Sequence, residues 1–181
     1  MKFVDPHKDQ WHALGGEDGP AACINPAPHL LLSVEQWHAF RAQWPQGMPV
    51  GVILANDAEV KEIAADLPRL TLVQLNFPKW VDGRAYSQAH TLRARYRFKG
   101  ELRATGEVLV DMVLLLARTG FDAAVLRADQ SLDAAYRALT FFPGYYQGGV
   151  DDPLPLFAKP PGTADALVRA QAEFVHAGAA I

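Results

Sequence analysis

The sequence predicts an α/β fold: repeated strand–helix units forming a mainly parallel sheet with helices on both faces. Short apolar runs of strand length alternate four or five times with segments of helical spacing. Gly, Pro and capping residues separate them. With 181 residues, half of them hydrophobic and a fifth charged, the chain reads as one domain with material for a sizeable core. A partial βα barrel has the same local pattern and stands as the alternative. The open sheet is preferred on length, since a complete eight-unit barrel needs about 250 residues.

Residues 1–28 are rich in Gly, Pro and His and show no sustained period. They read as an irregular arm that Trp11 and Leu14 pin to the body. The single α/β domain runs over 29–142. Its first unit is the apolar run His29–Leu32 and a helix from Glu35 to Gln43, capped by Ser33, whose hydroxyl can accept an orphan backbone N–H. Val50–Ala55 is a continuous apolar run, as expected of a strand covered on both faces. Asn56 with Glu59 has the spacing of a capping box; Val60, Ile63 and Leu67 then recur at helical intervals until Pro68 stops the helix. Leu70–Phe77 is the second strong strand. Pro78 ends it, and a helix with Tyr86, Ala89, Leu92 and Tyr96 on one face follows. Gly100–Thr105 reads as a strand and Glu107–Arg118 as a helix, with Gly120 as its left-handed C′ residue. Ala123–Arg127 is a further strand, and Ser131 caps a last helix to Leu139. Residues 143–181 read as a Pro/Gly-rich linker and a C-terminal helix over Thr163–Ala177.

Composition excludes several classes. A net charge of −3 argues against general nucleic-acid binding. The most apolar segment, Val108–Ala117, is broken by Asp111 and too short to span a bilayer, and the first residues lack a signal-peptide stretch. Cys23 is the lone cysteine, so no internal disulfide can form. With no basic neighbour it reads as a structural thiol in a reducing, cytoplasmic setting. The six histidines lack metal-ligand spacing and no glycine-rich phosphate loop occurs, so neither metal nor cofactor is expected.

What remains is a local excess of positive charge. Residues 79–103 hold seven Lys or Arg against two acidic residues. Ligands of open parallel sheets bind beyond the carboxyl ends of the strands. Asn56–Asp57, Lys79–Arg84 and Thr105–Glu107 should emerge there. Lys79, Arg84, Ser87 and Arg103, with the free N–H groups expected around Thr105 and Gly106 at a helix start, are therefore candidate binders of sulfate, phosphate or carboxylate. Asp82 and Asp111 are the candidate acid/base groups. Simpler roles stand beside these. Asp82 and Arg84 form a local turn pair. Arg93, Arg95, Arg97 and Lys99 are solvated cations favoured by a helix C-terminus. Arg103 and Asp111, each in apolar surroundings, pair with one another. The Val108–Ala117 helix, apolar nearly all round, is either core or a homodimer contact. The Tyr145–Tyr146 loop either covers a site or packs locally.

Four stretches carry a family resemblance: Phe77–Ser87 (FPKWVDGRAYS), Leu92–Tyr96 (LRARY), Gly100–Asp111 (GELRATGEVLVD) and Gly120–Ala123 (GFDA). Together they resemble the bacterial domain of unknown function numbered 934. The chain carries Ala85, Met112 and Thr119 where that family usually has Gly, Gln and often Cys. The resemblance implies a setting rather than a reaction. Such proteins are commonly encoded beside sulfite reductase and other sulfate-assimilation enzymes, and some are labelled oxidoreductases. It implies an accessory protein of assimilatory sulfate or sulfite reduction, acting on a partner reductase or an anionic intermediate. The alternatives are an enzyme acting on a small phosphorylated or sulfated compound and a structural homodimer.

Overall fold

Each apolar run of strand length pairs in parallel with the next one along the chain. The strands are β1 (Lys2–Phe3), β2 (His12–Ala13), β3 (Leu30–Ser33), β4 (Val50–Leu54), β5 (Leu72–Phe77), β6 (Glu101–Gly106) and β7 (Ala123–Ala124). They lie in the order β1-β7-β6-β5-β4-β3-β2, with every pairing parallel. The computed structural model describes residues 1–14, 24–142, 145–150, 152–163, 165, 166 and 169. Cys23 and most of the expected C-terminal helix lie outside them.

Of the two arrangements the repeat allows, this is the partial βα barrel: a parallel sheet curled into half a barrel. An open sheet with helices on both faces needs a point where the strand order reverses. Here the order runs from β2 to β7 without reversal. Crossovers of one hand repeated in one direction place every connection on the same face. Packing follows that rule. Leu32, Val52, Leu54, Val73, Leu75, Phe77, Leu102, Ala104 and Ala124 share one face and one core with Trp37, Ala85, Ala89, Leu92 and Leu116 of the helical layer. Alternate residues form the inner face, where a separate apolar cluster holds Leu31, Leu72 and Trp11. Gly51 permits that cluster: a Cβ there would meet Leu31 Cδ2 at 2.6 Å and the Trp11 ring at 3.2 Å.

The arm is more ordered than its composition suggests. β1 and β2 extend the sheet at its two ends, Trp11 is buried, and Leu14 packs on the main core. Two-residue strands carry no period, so only their partners reveal them.

The helices are α1 (Val34–Phe40), α2 (Arg84–His90), α3 (Val113–Thr119) and α4 (Leu132–Leu139). Ser33 caps α1 as expected, in a capping box with Gln36. Ser131 Oγ accepts from Ala134 N at 3.3 Å, and Gly120 ends α3 at φ +98°. The segment after β4 differs: it forms 3₁₀ turns at Val60–Glu62 and Ala64–Arg69. Glu59 rather than Asn56 opens them, its N–H donating to Glu62 Oε1 at 2.9 Å. Pro68 sits inside the second turn, where an α-helix would drive its ring into the carbonyl four residues back. Likewise a 3₁₀ turn at Val110–Met112 precedes α3, so that helix is shorter than expected. The last strand shrinks to Ala123–Ala124. Among the described residues no helix is long and apolar enough to cross a membrane.

Candidate functional site

The carboxyl ends of β4 and β5 bring Asn56 and the 79–84 turn together. Asn56 Nδ2 donates to Asp82 Oδ2 at 2.7 Å. Asp82 also accepts from the Arg84 backbone N–H at 3.2 Å, from Nε at 3.0 Å and from Nη2 at 2.7 Å. These contacts, led by the Arg84 guanidinium and then its backbone N–H, pull the Asp82 carboxyl from 3.8 down to about 2. Such a group stays ionised near neutrality. It suits holding Arg84 in place and does not suit exchanging protons there, since general acid/base work favours a pKa near the working pH. Because the folded value is depressed, the pairing contributes above about pH 4 and is lost as pH falls toward 2. Replacing Arg84 with alanine should raise the Asp82 midpoint from about 2 toward 3.8, read from its carboxyl carbon by NMR, with the backbone N–H of residue 84 and Asn56 still holding it below; an unchanged midpoint near 2 would show that the guanidinium is not the cause.

The other expected residues scatter. Lys79 and Ser87 are exposed, and Lys79 has no carboxylate partner among the described residues. Gly106 sits at φ +92°, where a Cβ would meet Phe77 O at 2.4 Å. The N–H groups that should have been free for an anion near it are used: Glu107 N donates to Phe77 O at 2.8 Å and Val108 N to Gly106 O at 2.8 Å. Asp111 is exposed and does not meet Arg103. Arg103 lies instead on the inner face, with only 3% of its side chain exposed, bonded to Asp9 and Glu101. Glu101 also pairs with Lys2 at 2.8 Å. The expected Arg103–Asp111 pair fails because β6 turns residue 103 inward while residue 111 lies on a turn of the outer layer.

The basic segment is thus divided among three places. Lys79 and Arg84 stand at the carboxyl ends of the strands and Arg103 on the inner face. Arg93 to Lys99 stand at the amino end, because α2 and its continuation carry the chain back by roughly 16 Å. Arg93 is not solvated. Its Nε donates to Gly120 O at 2.9 Å, Nη1 to Phe98 O at 2.5 Å and Gly100 O at 3.0 Å, and Nη2 pairs with Asp122. Arg95, Arg97 and Lys99 are exposed and have no ion pair among the described residues. Arg97 holds φ +54°, the left-handed exit from the π-turn Thr91–Arg95.

Two groupings escape sequence reasoning. Arg127 binds Glu107 at 2.6 Å and clasps Asp129 with two bonds, holding Asp129 down at about 2. The spacing Arg-x-Asp was the visible signal; Glu107 arrives from another unit. On the inner face the register sets Gln74 beside Arg103 and Asn76 beside Thr105. Gln74, Asn76 and Thr105 are half-buried, and their side chains make no hydrogen bond among the described residues. The polar alternation Gln74-Leu75-Asn76 was their signal. These neutral donors and acceptors, running from the middle of β5 to the carboxyl ends of β5 and β6, can hold a polar group by hydrogen bonds rather than by charge.

Residues 51–157 match the model of a family described as a bacterial protein of unknown function, DUF934. The chain belongs to the DUF934 family. No curated protein matches it. The DUF934 segment runs from within β4 into the 3₁₀ turn at Leu156–Ala158, so it includes Asn56, Asp82, Arg84, Arg103 and Arg127. Asp9 and Trp11, which cover the inner face of this DUF934 member, lie outside it.

Proposed function

We propose that this DUF934 protein is a cytoplasmic accessory protein of assimilatory sulfate or sulfite reduction that acts by binding a partner reductase. The family resemblance supports the setting. The observation that carries the binding role is the exposed row Arg95, Arg97 and Lys99, three cations without a carboxylate partner among the described residues on a chain of net charge −3. Concentrated charge of one sign steers an oppositely charged surface. Arg84 and Arg103, by contrast, are matched by carboxylates, and Asp82 is pinned as an anion. Those facts weigh for partner binding over anion binding at the carboxyl ends of the strands and over acid/base catalysis by Asp82. A homodimer through 108–117 is less favoured, because Val108, Met112, Val113 and Leu116 are buried within one chain.

The tagged protein should co-purify with the host's sulfite reductase, with binding that weakens as salt rises. A triple variant, Arg95→Glu with Arg97→Glu and Lys99→Glu, should lower that affinity at least about tenfold, while Lys79→Glu at the opposite end should not. Deletion should slow growth on sulfate and not on cysteine. Absence of both co-purification and a sulfur-source defect would defeat the proposal.

A further inference from the structure

At the amino end of β4 and β5, remote from the Asp82–Arg84 turn, a cavity of about 370 Å³ opens between α1 and the 3₁₀ segment. Trp37 and Trp44 form part of its wall and are 0% and 4% exposed. Both indole Nε1–H groups are buried with no acceptor. A buried donor without a partner is unfavourable, and two in one wall are satisfied together by an acceptor brought into the cavity. Arg69 also lines the cavity. Its guanidinium lies 5.1 Å from the Trp37 ring centroid, with Nη2 donating to Arg41 O at 2.9 Å and Trp44 O at 3.1 Å. Arg69 Nε and Nη1 make no bond among the described residues. The Gln46 amide and Thr71 hydroxyl complete the polar lining.

The lining therefore holds one cation, several hydrogen-bond donors and no carboxylate. The nearby acid, Asp66, is already paired with Arg41 at 2.6 Å. Met48 and Leu70 make the rest of the wall apolar. An inorganic ion would leave most of this volume empty, whereas the size is that of a pocket for a small organic molecule.

We propose that this cavity binds a small organic anion, an apolar body carrying one carboxylate or phosphate. The oxyanion meets Arg69 and takes the indole N–H groups as its donors, after small rotations of the two rings. The apolar body packs on Met48 and Leu70. This inference does not depend on the partner-binding role proposed above, since Arg69 is outside the Arg95–Lys99 row.

The test uses the four indole N–H signals of the ¹⁵N-labelled protein, assigned by single Trp→Phe variants at residues 11, 37, 44 and 80. Benzoate and phenyl phosphate are titrated separately, against neutral benzamide and inorganic sulfate. The Trp37 and Trp44 signals should move saturably with one or both organic anions, while Trp11 and Trp80 stay. Benzamide and sulfate should bind at least about tenfold more weakly. Gln46→Glu, an exposed substitution that places a carboxylate in the lining, should weaken the anions by a similar factor with the rest of the spectrum unchanged; Arg69→Gln should do the same. Equal binding of benzamide, sulfate saturating as tightly as benzoate, no effect of Gln46→Glu, or no saturating shift at Trp37 or Trp44 up to about 20 mM would each overturn the site.

Discussion

Replacing Arg103 with leucine should cost about 3–5 kcal/mol of folding stability, the range for removing one partner of a buried ion pair. Arg103 is the central cation of the inner face, bonded to Asp9 from the arm and to Glu101 on its own strand, with Lys2 adding to Glu101. The carboxylates are 15% and 18% exposed, so deleting the guanidinium leaves Asp9 with no cation among the described residues and Glu101 with Lys2 alone, both with little water. Urea denaturation would measure the loss. Adding Asp9→Asn and Glu101→Gln to Arg103→Leu should recover most of it, because the uncompensated charge and not the lost attraction is the larger cost. A loss under about 1 kcal/mol would mean that the arm is held by its strand pairing and apolar packing without the ion pair.

Replacing Arg93 with leucine should cost about 3 kcal/mol. One guanidinium there satisfies three carbonyls, of Phe98, Gly100 and Gly120, and pairs with Asp122, whose carboxylate also accepts from Leu102 N at 2.7 Å. It ties the exit of α2 to the C-terminus of α3 and the start of β6. Gly120 belongs to the same fit, since a Cβ there would lie 2.6 Å from Arg93 Cγ. Arg93→Lys should restore less than half of the loss, because an ammonium cannot reproduce a planar fork of donors aimed at separate acceptors. Thermal and urea unfolding of the two variants would decide; a lysine variant as stable as the natural protein would show that charge alone suffices.

Helical spacing and apolar runs located β3 to β7 and α1, α2 and α4 within a few residues, placed the start of α3 six residues too early, and named the Ser33, Ser131 and Gly120 termini correctly. These signals are local. A Ser hydroxyl caps the helix it precedes, and a glycine takes positive φ at the end it follows. The 3₁₀ turns escaped because Val60, Ile63 and Leu67 fit either period and only Pro68 decided between them. β1 and β2 escaped because two residues cannot show alternation. The inner-face site was half legible: Thr105 was placed at a strand end, but Gln74 and Asn76 were passed over within an apolar strand.

The sequence by itself determined the class of fold, the family and the turn pair of Asp82 with Arg84, because each depends on residues within a few positions of one another. Only the tertiary structure decided that the sheet curls in one direction, that Arg103 meets Asp9 across 94 residues of chain, and that the seven basic residues within 79–103 are divided between two ends and the interior. The physical reason is that charge attracts through space. A parallel crossover sends the chain the full length of the sheet before it returns, so neighbours along a helix become residents of opposite ends.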